Sequence, residues 1–142
     1  MRIPILFGAI LVLLSLSCTP PQPFHTLSGQ WHLYAYKSTP EANLSLQPDH
    51  LPQPVVADFD DRGRRGKFRI ETATNAIWGK YRLDEYGSLS FIEIEGTLFG
   101  DNKWSQDVWP ALQETSAYSF SDQRDTLKMA YGDQGSLFWV KP

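Results

Sequence analysis

The sequence predicts a mainly β domain, an antiparallel sheet forming a closed or partly open small barrel, with one short helix inserted near residues 105–114. Three observations carry this expectation. Apolar and polar residues alternate with a period of two in run after run. Short polar stretches rich in Gly, Asp and Ser separate the runs. Only between Asn102 and Glu114 does the period lengthen to that of a helix, and no strand–helix–strand spacing suggests a parallel sheet.

The first strand is expected over Gly29-Gln30-Trp31-His32-Leu33-Tyr34-Ala35-Tyr36, where Trp31, Leu33 and Ala35 share one face. Residues 38–53, with Pro40, Pro48 and Pro52, read as a long irregular loop. Val55, Ala57 and Phe59 alternate up to the polar stretch Asp60–Gly66, and Phe68, Ile70 and Thr72 alternate after it. That makes a hairpin with one buried face. A second pair runs through Lys80–Leu83, the turn Asp84-Glu85-Tyr86-Gly87, and Ser88–Glu95. In the last of these the apolar parity switches, from Leu89 and Phe91 to Ile92 and Ile94. One side-chain period cannot serve both pairs, so the strand carries a bulge or is covered on two sides.

Trp104, Val108, Ala111 and Leu112 then fall at helical spacing. Pro110 is comfortable only in a first helical turn, which predicts a turn near Ser105 and a short helix beyond it. Strands resume over 116–121, 127–131 and 136–140, with Asp122–Asp125 and Gly132–Gly135 as turns.

Ahead of this domain, Met1-Arg2 leads into an uncharged, mostly apolar run from Ile3 to Leu16, the outline of a signal peptide over residues 1–17. A membrane-spanning helix needs about 20 apolar residues, and the prolines from Pro20 onward deny it that length. The only cysteine of the chain, Cys18, stands where cleavage is expected, and a single cysteine cannot close an internal disulfide. Residues 18–26 read as a tether stiffened by Pro20, Pro21 and Pro23, followed by the β domain over 27–142. Loss of Arg2 with the leader takes the net charge from −3 to −4, which gives nucleic acid no reason to bind.

Catalytic and metal motifs are not evident. His25, His32 and His50 have no spacing that gathers them on one ion, and neither a G-x-S-x-G elbow nor an H-E-x-x-H pair occurs. The stretch beginning at Asp58 resembles a calcium loop only superficially, because Arg62 and Arg69 occupy positions that need oxygen ligands. Arg62, Arg64, Arg65 and Lys67 form one basic cluster, read as a solvated hairpin tip or a surface for lipid headgroups. Asp84 and Glu85 are turn-formers rather than an acid–base pair. His32 alternates with core positions, and the five tryptophans fill a small barrel or line a cavity. No cofactor is implied, and the domain is expected to be non-catalytic.

Two resemblances follow from these residues. Leu14, Leu16, Ser17 and Cys18 resemble a bacterial lipobox, although Ser15 stands where that pattern usually has leucine. This implies lipid on Cys18 and a lipid-anchored place in the cell envelope. No aspartate follows Cys18, so the periplasmic face of the outer membrane is expected. Leu27-Ser28-Gly29-Gln30-Trp31-His32-Leu33 and Asn75-Ala76-Ile77-Trp78-Gly79-Lys80-Tyr81, with its N-x3-G-x-Y pattern, resemble the META/HslJ-like domains. Leu89–Thr97, Val108–Leu112, Tyr118 and Asp125-Thr126-Leu127 follow in that family's order, while Thr74 stands where the family often has cysteine. The resemblance implies a β fold with one helix, an envelope or stress-associated role, and Trp31, Asn75, Gly79 and Tyr81 as binding or core positions. Gly29-Gln30-Trp31 also resembles the G-x-W of lipocalins, but the second lipocalin landmark, T-D-Y, is absent. A lipocalin-like carrier of a small apolar ligand is the alternative.

Overall fold

A computed structural model describes residues 26–142 except His50, Pro52, Leu98 and Asp101. The expected leader, Cys18 and the segment through His25 lie outside the described residues, as does His50. Among the described residues, nine strands and a helical insertion follow one another. They are β1 (Gly29–Lys37), β2 (Ser45–Leu46), β3 (Val55–Arg62), β4 (Arg65–Glu71), β5 (Ala76–Leu83), β6 (Leu89–Gly96), α1 (Lys103–Gln106), α2 (Val108–Gln113), β7 (Thr115–Phe120), β8 (Thr126–Tyr131) and β9 (Gly135–Val140).

The main ring is antiparallel throughout and runs β6-β5-β4-β3-β1-β9-β8-β7. The ring strands β1 and β3 through β6, and β7 through β9, pair in sequence order, and β9 returns to β1. The seam between β6 and β7 closes only at one end, through the bridge Ser88↔Ala117 and the bond from Tyr118 N to Gly87 O at 2.8 Å. The product is a nearly closed up-and-down barrel. Its floor carries residues 26–28, the β3–β4, β5–β6 and β7–β8 turns and the end of β9. Its other end carries the 38–54 loop, the β4–β5 turn and the helical insertion.

The barrel closes around the alternating faces expected from the sequence. Trp31, Leu33, Ala57, Ile70, Tyr81, Leu83, Leu127, Met129, Leu137 and Trp139 are all buried in one core. The parity switch in β6 is a bulge: Tyr81 pairs with Phe91 and Lys80 with Glu93, leaving Ile92 as the extra residue, exposed on the outer wall.

Two details differ from the sequence expectation. The loop after β1 contains β2, which pairs Leu46 with Ala35 and Ser45 with Tyr36. Two residues are too few to show alternation. The polar stretch 60–66 also shrinks to a two-residue turn at Gly63-Arg64, with Gly63 at φ 69°. Asp60, Arg62 and Arg65 belong to strands, and they looked like loop because all are exposed outward.

The helical insertion covers the mouth opposite the floor. Asn102 caps α1 by accepting from Ser105 N at 3.0 Å, and Pro110 sits in the first turn of α2, where it has no helical bond to lose. Trp104 packs on Tyr36 of β1 with ring centroids 5.8 Å apart, and the Trp109 ring lies against Gly96 of β6. No helix among the described residues is long and apolar enough to cross a membrane.

Candidate functional site

At the floor the leading segment folds under the barrel and is held by one carboxylate. Leu27 is fully buried. Asp61, near the end of β3, accepts from Leu27 N at 2.6 Å, Ser28 N at 3.2 Å and the Thr26 hydroxyl, and its other oxygen accepts from the Tyr81 hydroxyl. Asp61 N in turn donates to Ser28 Oγ at 2.9 Å. Trp31 Nε1 donates to Leu27 O at 2.8 Å, and Lys141 Nζ lies 5.3 Å from the centre of the Trp31 ring. Trp31 and Tyr81 are thus joined through Leu27, which opens the first motif, and through Asp61, which sequence reasoning did not single out. Burial, with the carboxylates of Asp61 and Asp84 nearby, pushes the Tyr118 phenol above its usual range at this same end.

Gly79 and Tyr81 of the N-x3-G-x-Y stretch are spent on the wall. A Cβ on Gly79 would lie 1.7 Å from Glu93 O, so only glycine permits β5 and β6 to approach beside the bulge. The Tyr81 ring occupies the space over Gly66, where a Cβ would come within 2.2 Å of it.

Asn75, from the same stretch, lies at the opposite end and does different work. Its Oδ1 accepts from Phe99 N at 2.7 Å and Thr97 Oγ1 at 3.2 Å, while its Nδ2 donates to Phe99 O at 2.9 Å. One amide side chain therefore clasps the chain leaving β6, much as a paired strand would. Thr74 adds a bond to Gly100 O at 3.2 Å, so the residue standing in for a cysteine helps to hold the same segment.

Beneath this clasp is a cavity of about 100 Å³, bounded by Thr72, Asn75, Ile77, Ser105, Gln106 and Trp109. Phe99 stands at its edge, 71% exposed. Among the described residues its lining offers hydroxyl, amide and aromatic groups and no ionisable side chain. Ligand pockets for small molecules run from about 300 Å³ upward, so the cavity suits water or a very small polar group. A wider open groove of about 410 Å³ lies between the 38–54 loop and α1, lined by Tyr36, Pro48, Leu51 and Trp104.

The four positions singled out from sequence do not converge on one cleft. Trp31 and Tyr81 meet through the floor network, Gly79 is in the wall, and Asn75 is at the mouth. His32 is half-buried on the outer face of β1. Among the described residues, no three His, Cys, Asp or Glu side chains gather where they could hold a metal ion.

Fold and geometry define a small, capped, up-and-down antiparallel β barrel with an aromatic-rich interior. No protein-family model matches the chain, and no curated protein matches it. Among solved structures, an NMR structure of a protein from Burkholderia xenovorans is similar, with a TM-score of 0.60 and 16% sequence identity over 80% of this chain and 81% of that one. Likeness at that identity is a likeness of fold.

Proposed function

We propose that this chain is an envelope lipoprotein, anchored through lipid on Cys18, whose META/HslJ-like β domain is a structural, stress-associated or binding module without catalytic chemistry. The observation that carries the domain's part is the use of its motif residues. Asn75 closes the mouth, Gly79 admits a neighbouring backbone, and Tyr81 braces the floor through Asp61. A motif consumed by construction is a motif of architecture. The anchoring rests on the position of Cys18 after an apolar leader. Two or three acyl chains hold a protein firmly on a bilayer, where one chain holds it only marginally.

The test is cell fractionation of the wild type and Cys18→Ala, with metabolic lipid labelling. The wild type should be labelled and sediment with membranes. A Cys18→Ala protein that remains lipid-labelled would sink the proposal.

The alternative, a lipocalin-like carrier, draws on two observations: the up-and-down meander, and the Trp139 indole N–H, which is buried without a hydrogen-bond partner among the described residues. Against it, Trp31, Trp139, Tyr81 and Met129 fill the interior a ligand would need. Native mass spectrometry of the purified protein separates the two, because a carrier retains a small molecule in substoichiometric or full amount.

A further inference from the structure

The outer wall formed by β3, β4 and β5 carries its charges in rungs, and one rung is unbalanced. Cross-strand pairing places Arg62 opposite Arg65 and Arg65 opposite Arg82, with Ser90 next in line on β6. All three arginines are exposed. The following rung, Asp60, Lys67, Lys80 and Glu93, is neutral, and Lys80 is bonded to Glu93 at 2.8 Å. The third, Asp58, Arg69, Trp78 and Glu95, has acid in excess. Like charges directly opposite one another destabilise a sheet, so the first rung is not explained by folding.

Compensation is slight. Asp60 reaches Arg62 only at 3.9 Å, and among the described residues no carboxylate forms an ion pair with Arg65 or Arg82. Arg64, in the turn, is held by Glu85 at 3.1 Å. Of the other acids at this end, Asp84 is turned onto Tyr86 N and Ser88 N of its own loop. Asp122 and Asp125 belong to the β7–β8 turn, across the ring from β4.

The arginine rung is also the edge from which the chain leaves toward Cys18. Thr26, Leu27 and Ser28 are bonded to Asp61, the residue beside Arg62. The segment between Cys18 and Thr26 spans at most about 28 Å when fully extended. We propose that Arg62, Arg65 and Arg82 form a cationic edge that docks the anchored domain, floor first, on the phosphates of anionic phospholipid headgroups. The proposal rests on the reading that Cys18 carries the lipid. Three basic residues are few for a protein arriving from solution, but a short tether makes docking intramolecular and supplies a high effective concentration. Guanidinium groups match phosphate oxygens through paired N–H donors.

The experiment uses the full mature lipoprotein with a fluorophore on Ser90→Cys, beside Arg82, and vesicles carrying a headgroup quencher. One set is phosphatidylcholine, and the other contains roughly a quarter phosphatidylglycerol. Flotation reads the anchor, and quenching reads the docking. Quenching should be stronger on the anionic vesicles. The ratio of docked to undocked protein should fall roughly a hundredfold in Arg62→Gln/Arg65→Gln/Arg82→Gln, the product of three contributions of the size one basic residue makes at an anionic surface. The unaltered arginines should lose the effect in roughly 1 M salt, where the Debye length is about 3 Å. Arg69→Gln, two rungs away, should leave it unchanged.

Flotation on both vesicles with equal quenching overturns the docking and leaves the anchor standing. Flotation on the anionic vesicles alone overturns the anchor and supports headgroup binding by the arginines. Flotation on neither overturns both.

Discussion

The two ends of the barrel are closed by different physics. At the floor, a buried leucine plugs the opening and a single carboxylate gathers the leading segment and Tyr81. At the mouth, a half-exposed asparagine clasps a loop, two short helices lie across the opening, and a cavity of about 100 Å³ remains under them. The floor network is continuous with the core through Trp31 and Tyr81, so opening it exposes large aromatic surface. The mouth clasp joins a turn to a loop, and opening it exposes little. The comparison predicts where this domain is able to move: the floor is coupled to global unfolding, as are the mouth helices whose Trp104, Val108 and Leu112 join the core, whereas the Asn75 clasp is able to open locally.

Three measurements break or sharpen that contrast. The largest effect should come from Trp31→Ala. Removing a fully buried indole from a filled core costs about 3–5 kcal/mol, and it also strips the partner from Leu27 O. A denaturation midpoint measures it. A loss below about 1 kcal/mol, the size of an ordinary substitution, would mean that the interior is not packed as described.

Asn75→Ala should cost less, about 1–2 kcal/mol, because its partners at Phe99 can turn to water. Its clearer readout is local. Hydrogen exchange should speed at Phe99 while the core strands β1 and β9 keep most of their protection. Uniform loss of protection would show that the mouth is as tightly coupled to the core as the floor is.

The smallest effect concerns acid, and it acts at the floor turns. Asp84 is held below the usual carboxylate range by hydrogen bonds from Ser88, with smaller help from Tyr86 N–H and Arg64. Asp125 is held down by the hydroxyls of Ser121 and Thr126. A carboxyl lowered on folding stabilises the native state above its unfolded value, near 3.8 for both groups. That contribution is lost as pH falls through the lower folded value. Unfolding midpoints should therefore decline below about pH 4, and Asp125→Asn should flatten the decline. An unchanged slope in that variant would remove Asp125 from the account.

Much of the strand pattern was legible because a barrel wall has one face in oil-like surroundings and one in water, so side-chain period reports orientation directly. The parity switch at Ile92 announced a bulge for the same reason. Pro110 limited the helix through its missing N–H. The N-x3-G-x-Y stretch marked residues that matter without saying how, since the same three positions would suit a binding cleft or a clasp.

Sequence by itself determined the alternation, the helical interruption and the placing of Cys18 between an apolar leader and a proline-rich segment. Tertiary structure alone decided that β9 returns to β1, that Asp61 serves Leu27 and Tyr81 together, and that Arg82 joins Arg62 and Arg65 in one rung. The physical reason is range. Periodicity and proline act within a few residues, whereas a carboxylate or a charged rung is defined by strands distant in the chain that meet only when the sheet closes.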